Sequence, residues 1–186
     1  MMLIFPWIFL AFQLLTWDVT LNAHKNITFD LRNCGIEFVL VPNANTQFLR
    51  TRLEIPGIMR LSLGLDSGSL TETDSEVQVE GRNSMSFIES CRLFVHHPSN
   101  TEFTGNVRIT CEGSCYIIQS STEKLKFMQD LEITAETMNI NFVNIEVGGN
   151  LISTAGVSGN LLFNSVTTGN AAVISTAEGD ALYQST

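Results

Sequence analysis

The chain has 186 residues and a formal net charge of −9, from 10 lysines and arginines against 19 aspartates and glutamates. An acidic chain whose basic residues form no cluster is a poor partner for nucleic acid and for anionic membrane surfaces, so neither is expected as a ligand. Its hydrophobic fraction of 44% is sufficient for one domain with a core of its own.

The first 23 residues have the pattern of a secretory signal peptide. An apolar segment runs from Leu3 to Leu15, too short to span a bilayer comfortably, and Ala23 is a small residue at an expected cleavage point. We therefore expect residues 1–23 to be removed and the mature protein to be extracellular or on the cell surface. The first residues lack the usual lysine or arginine, and the alternative is an uncleaved signal anchor.

Asn26 begins the sequence Asn-Ile-Thr, the only N-glycosylation sequon in the chain. Such a sequon has meaning only in a eukaryotic secretory pathway. Asn26 is therefore a candidate glycosylation site near the amino terminus of the mature protein.

Residues 24–124 are predicted to be rich in β-strand, as a cap or as irregular first coils for the repeat that follows. Ile27–Leu31 and Met59–Leu65 alternate between apolar and polar residues with a period of two, and Gly35–Val41 is a compact apolar run. A cap is expected because the first coil of a stacked repeat otherwise leaves an open edge and an exposed core.

Four cysteines lie in the same part of the chain: Cys34, Cys91, Cys111 and Cys115. An even count behind a signal peptide predicts disulfide bonds. Cys91 and Cys111 are 20 positions apart and could stack on successive coils, whereas Cys111 and Cys115 could close a tight loop around Gly113. The spacing leaves all three connectivities open.

A zinc site is the alternative use of these cysteines. Cys91, Cys111 and Cys115 together with His96 and His97 supply enough ligands. Their spacing matches no common zinc motif, and an oxidising compartment favours pairing of the thiols. We therefore expect no metal and no other cofactor.

Residues 147–186 repeat with a period of ten. Each unit begins with glycine followed by asparagine or aspartate, and two apolar residues come next. Glycine accepts a positive φ, and asparagine or aspartate tolerates the left-handed region, so each pair is a predicted turn. The predicted turns are Gly149–Asn150, Gly159–Asn160, Gly169–Asn170 and Gly179–Asp180.

Units two apart are more alike than adjacent units. Leu162–Ser165 matches Leu182–Ser185 at a spacing of 20, and Ile152–Ala155 recurs as Ile174–Ala177 at a spacing of 22. This period predicts an all-β fold in which residues 125–186 form a parallel, right-handed β-helix or solenoid with about 20 residues per coil. The alternative is a β-sandwich of evenly spaced hairpins.

The recurring Gly-Asn or Gly-Asp pair followed by two aliphatic residues resembles the β-solenoid repeats of secreted adhesins of the filamentous-haemagglutinin type. The resemblance covers residues 147–186 and extends weakly back to Leu125. It implies a secreted or cell-surface structural or adhesion protein that binds an unidentified carbohydrate or protein through a rigid solenoid face, without catalysis. Degenerate repeats of this kind indicate a fold more than an activity.

Candidate catalytic residues are few. Glu178 and Asp180 are two apart, as glycosidase carboxylates could be, but they occupy repeat positions held by Ser158 and Asn160 in another unit, so turn chemistry accounts for them. No lysine, arginine or histidine follows Lys126, although a polysaccharide lyase on a β-helix would use such a residue as its base. The alternative function is a pectin-lyase-like carbohydrate-active enzyme whose active groups lie outside the repeat.

Two expectations concern packing and the end of the chain. The apolar repeat positions are expected to be mostly buried, with Leu162→Asp strongly destabilising: Leu151, Ile152, Leu161, Leu162 and Leu182. We also expect the coils to continue beyond Thr186, where a membrane anchor would also lie, because the last unit stops before its next Gly-Asn pair. Edge-to-edge self-association is another way to cover the open edge.

Overall fold

The computed structural model describes residues 15–42, 48–55, 67–82, 91–119 and 121–185. In these ranges the chain forms strands and no helix, and the strands join in one sheet that curls and stays open. The strands are β1 (Leu15–Asn22), β2 (Asn26–Arg32), β3 (Cys34–Leu40), β4 (Phe48–Ile55), β5 (Ser67–Glu72), β6 (Glu76–Arg82), β7 (Cys91–His97), β8 (Glu102–Phe103), β9 (Val107–Gln119), β10 (Leu125–Phe127), β11 (Leu131–Val147), β12 (Leu151–Thr168), β13 (Ala172–Glu178) and β14 (Ala181–Ser185). The all-β prediction is confirmed for this part of the chain; the alternating segment Met59–Leu65 lies outside it.

The carboxyl-terminal strands pair in parallel at the spacing of the sequence repeat. Leu131 of β11 lies beside Leu151 of β12, 20 positions later, and Leu151 lies beside Ala172 of β13, 21 positions later. β14 also pairs with β12, with Leu161 beside Ala181. Hairpins would pair antiparallel, so the β-sandwich alternative does not describe this segment.

Parallel pairing continues upstream of residue 125, but the strands do not follow one another in chain order. The first half of β9 pairs with β2 and its second half with β3, while β11 lies on its other side. β6 and β7 come later in the chain than β2 and β3, yet they lie on the side of these strands that faces away from β9. The spatial neighbours Ile27 and Val107 are therefore 80 positions apart.

Antiparallel strands extend the sheet beyond β6 and β7. β5 pairs with β6, β4 pairs with β7, and β1 pairs with β4. β1 lies within the segment expected to be removed, and Leu21 and Ala23 are both buried. In the full-length chain β1 therefore packs on the sheet, with Thr20 exposed and Leu21 buried. Cleavage after Ala23 stays a prediction.

The core inside the curled sheet is a cluster of phenylalanines from six strands. All six are fully buried: Phe29, Phe38, Phe103, Phe127, Phe142 and Phe163. Phe103 and Phe127 stack with ring centroids 5.0 Å apart, and Phe142 lies 5.9 Å from Phe163. Parallel strands in register bring equivalent positions together, so Phe103 meets Phe127 and Phe142 meets Phe163 inside the curl.

The expectation that both apolar residues of each repeat unit are buried is wrong for the second residue. Leu151 and Leu161 are buried, but Ile152 is 38% exposed, Leu162 is only half-buried and Leu182 is 57% exposed. Successive side chains of a strand point to opposite faces of the sheet, so two consecutive residues cannot both enter the core.

Candidate functional site

A ladder of amide and carboxylate side chains lies where four neighbouring strands begin. Asn26 begins β2, and Asn106, Asp130 and Asn150 directly precede β9, β11 and β12. The backbone N–H of Asn106 donates to Asn26 Oδ1 (2.9 Å), that of Asp130 to Asn106 Oδ1 (3.2 Å) and that of Asn150 to Asp130 Oδ1 (2.7 Å). The side chains of Asn26, Asn106 and Asp130 therefore each accept a hydrogen bond from a backbone N–H at the start of the neighbouring strand. The repeat pattern identified only Asn150 for this role, although Asn or Asp before an apolar residue is the common signal.

Asn26 is exposed, and its side chain takes part in this ladder through Oδ1 alone. A glycan is attached to the amide nitrogen, so the ladder contact is compatible with modification. Glycosylation of Asn26 stays a prediction.

The predicted turns fall into two groups. Gly149–Asn150 and Gly169–Asn170 lie in the bends between strands, as does Gly179, which has φ of 106°. A Cβ at Gly169 would collide with the carbonyl oxygen of Gly148, so this bend requires glycine.

Gly159 and Asn160, by contrast, lie inside β12 and form no turn. β12 bends where its register against β11 and β13 shifts, just before Gly159, and then continues. Two adjacent ten-residue units thus make one bent strand, which is why the structural spacing is 20 rather than ten.

The cysteines form two disulfide bonds. Cys34 and Cys91 are register partners on the parallel strands β3 and β7, with Cα atoms 4.5 Å apart. Cys111 and Cys115, with Cα atoms 6.3 Å apart, close a loop around Gly113, which has φ of 80°. Of the arrangements left open by the sequence, the loop is present and the stacking of Cys91 on Cys111 is not.

The three cysteines proposed for the zinc alternative are bonded in disulfides and are not free to bind a metal. Cys91 begins β7 and His97 ends it, and the described residues hold no group of three or more His, Cys, Asp or Glu side chains able to bind a metal. His97 is buried, with Nδ1 3.1 Å from the carbonyl oxygen of Pro98, and burial lowers the pKa of its imidazole. His96 is half-buried and stacks on Phe94, with ring centroids 6.2 Å apart.

A shallow groove of about 390 Å³ lies on the outer face of β9, β11, β12 and β14. Two rows of outward side chains line it: Tyr116, Asn139, Asn160 and Asp180 in one, and Ile118, Asn141, Leu162 and Leu182 in the other. Asn160 Nδ2 donates to Asn139 Oδ1 across one coil (3.2 Å). Glu178, the proposed carboxylate partner of Asp180, is exposed and does not line the groove.

The end of the groove at β9 is fixed by Tyr116. Its ring lies over Gly35 of β3, where an added Cβ would overlap the ring, and the Arg92 guanidinium lies 5.6 Å from the ring centroid. The shape of this end therefore depends on a glycine in the neighbouring strand.

Ion pairs join neighbouring strands nearer the amino terminus, β9 to β11 and β8 to β10. Arg108 pairs with Glu132 (2.8 Å), and Lys126 pairs with Glu102 (2.7 Å); the latter hydrogen bond raises the pKa of Lys126 above its ordinary value. Exposed pairs of this kind contribute little to stability, because water screens them. No basic residue follows Lys126, so the outer face of β12–β14 carries no cation.

The comparisons with known proteins concern fold only. No protein-family model and no curated protein matches the sequence. Among solved structures, the chain is similar to a proposed cell adhesion protein from Clostridium sporogenes, at 7% identity and a TM-score of 0.39 over 90% of this chain and 98% of that one. It is also similar to a proposed adhesin from Bacteroides fragilis, at 12% identity and a TM-score of 0.31 over 88% and 97%. The described residues contain no helix able to cross a bilayer.

Proposed function

We propose that the protein is a parallel β-solenoid that acts as a secreted or cell-surface adhesion module without catalysis. The observation that carries the proposal is the register of Leu131, Leu151 and Ala172 on three successive parallel strands. Coils of 20 or 21 residues in this register hold equivalent side chains in straight rows on a rigid surface. The two disulfide bonds support a location outside the reducing cytosol.

The binding face in this proposal is the groove on β9, β11, β12 and β14. Its rows place amides, as on Asn139 and Asn160, beside apolar groups, as on Leu162. Amides form directional hydrogen bonds, and half-buried apolar side chains gain free energy when a ligand covers them. The ligand class is a neutral carbohydrate or a protein segment, since a mainly apolar groove edged by amides suits a ligand with both apolar and hydrogen-bonding groups.

The binding test compares two outward-facing substitutions on one strand. Leu162→Ser alters the groove, whereas Ile152→Ser alters the outer face of β12 away from it. With immobilised chitin, pectin, cellulose and collagen as probes, Leu162→Ser is expected to weaken binding by about tenfold, the loss of one contact worth about 1.4 kcal/mol. Equal effects of the two substitutions would show that the groove is not the binding face.

Incubation with the same polysaccharides separates binding from turnover. The proposal expects neither unsaturated products nor new reducing ends after prolonged incubation. Appearance of either product, in proportion to the amount of protein, would replace adhesion by the carbohydrate-active enzyme alternative.

A further inference from the structure

Three of the four cysteines occupy one inward-facing row across neighbouring strands. Cys91 and Cys34 are register partners on β7 and β3. Ile36 and Ile117 are register partners on β3 and β9, and Cys34 and Cys115 precede them by two positions each, with the same inward orientation. The order across the row is Cys91, Cys34, Cys115, and adjacent strands are about 4.8 Å apart. Cys34 thus lies between its own partner and a cysteine of the second disulfide.

The two disulfides differ in their surroundings. Cys34 and Cys91 are each 1% exposed, and they cross-link strands inside the sheet. Cys111 and Cys115 are 7% and 5% exposed and bracket a corner loop in which Glu112 and Ser114 are exposed. A reductant in solution therefore reaches the Cys111–Cys115 bond first, since the rate of exchange depends on access.

We propose that this row is a thiol–disulfide exchange site that accepts electrons from a dithiol. The dithiol reduces Cys111–Cys115, giving two thiols and its own disulfide. Cys115 then loses its proton, and its sulfur attacks Cys34 Sγ. A Cys34–Cys115 bond forms, the Cys34–Cys91 bond breaks, and Cys91 leaves as a thiolate that takes up a proton. The row places the attacking, central and leaving sulfurs on three consecutive strands, the order this substitution requires.

The exchange moves a covalent cross-link from one strand pair to another. Before it, Cys34–Cys91 joins β3 to β7; after it, Cys34–Cys115 joins β3 to β9. β7 holds the antiparallel strands β4 and β1 on the sheet, so no disulfide then ties these three strands to β3. Reduction at the exposed corner would in this way loosen the antiparallel end of the sheet.

Partial reduction of the full chain tests the order of events. The oxidised protein is treated with limiting dithiothreitol, quenched in acid and alkylated, and the species with two labels is mapped by peptide mass spectrometry. The expected labels are on Cys91 and Cys111, with a Cys34–Cys115 linked peptide. Labels on Cys111 and Cys115, or on Cys34 and Cys91, would overturn the proposal.

Two single substitutions provide a matched control. Cys111→Ser leaves the Cys115 thiol beside Cys34 and is expected to give a mixture of Cys34–Cys91 and Cys34–Cys115 bonds. Cys115→Ser leaves the Cys111 thiol outside the row and is expected to keep Cys34–Cys91 alone. The same bond pattern in both variants would overturn the proposal. If either variant fails to fold, the mapping of the unsubstituted chain still decides.

Hydrogen exchange of the two-label species tests the structural consequence. Amides of residues 48–55 and 91–97 are expected to exchange several-fold faster than in the oxidised protein, while those of β12 keep their rates. Unchanged rates in both segments would overturn the loosening of β7 and β4.

Discussion

Gly35 leaves a space that a neighbouring aromatic side chain fills. The Tyr116 ring occupies the space that a Cβ would fill, and Arg92 lies across the ring. The sequence offers no sign of this contact, because Gly35 and Tyr116 are brought together only by the pairing of β3 with β9.

Gly35→Ala is expected to lower the free energy of unfolding by about 1–3 kcal/mol, as overpacking does, measured by urea denaturation. Adding Tyr116→Ala to the same chain should reduce this cost, since the overlap is relieved. Gly156→Ala is the matched control, because its Cβ would lie no closer than 3.7 Å to any atom beyond its chain neighbours. Equal losses at both glycines would contradict the explanation.

His97 makes stability depend on pH. Burial lowers the pKa of its imidazole in the folded state, while the unfolded chain keeps the ordinary value of 6.5. The unfolded state then binds more protons as pH falls through 6.5, so stability is highest above that pH and declines until the folded pKa is passed. Melting temperatures at pH 7.5 and 5.5 should differ more for the unsubstituted chain than for His97→Gln.

A substitution at the exposed His24 serves as the control for that comparison, because it removes an imidazole that lies outside the core. His24→Gln should leave the pH dependence of the melting temperature as it is. If His97→Gln behaves in the same way as His24→Gln, the buried imidazole is not the source of the effect.

At the scale of the strand, alternation decides which apolar residues matter. Leu161→Asp would place an unpaired charge in the core and is expected to cost about 4 kcal/mol or more. Leu162→Asp faces the groove and should cost about 1 kcal/mol. Urea denaturation of the two variants measures the difference. A larger loss for Leu162→Asp would mean that β12 is in the opposite register, and similar losses would contradict the alternation.

The repeat predicted the spacing between strands but not their course. Equivalent residues at a spacing of 20 were visible because β11, β12 and the two short strands β13 and β14 follow one another in the chain. The Gly159–Asn160 pair was misleading because glycine suits a bend within a strand as well as a turn. The sequence left the zinc alternative and the disulfide connectivity open for the same reason. β7 pairs with β3 although it comes much later in the chain, so the separation of Cys34 and Cys91 in sequence does not predict their distance in space.

At the scale of the whole molecule, the position of the mature amino terminus decides whether β1 is part of the fold. Among the described strands β1 is hydrogen-bonded to β4 alone, so its removal would leave the described pairing of β2–β14 intact. The loss of the buried Leu21 side chain would cost about 1.5–3 kcal/mol.

The secreted protein is expected to begin at His24, because the signal-peptide pattern ends at Ala23. Its intact mass after enzymatic removal of any glycan should equal that of a chain beginning at His24, with two disulfides. A mass that includes residues 15–23 would show that β1 belongs to the mature fold.

The alternation of inward and outward side chains also bears on how such a protein evolves. Inward positions such as Phe142 and Phe163 carry the packing, and outward positions such as Asn139 and Leu162 carry the surface. Mutations at alternate residues therefore act on different properties, and the outer rows can change in evolution while the inner ones are inherited unchanged. Deletion of one residue within a strand would turn the inward side chains after that point outward and the outward ones inward. Duplication of one complete repeat would leave both sets in place.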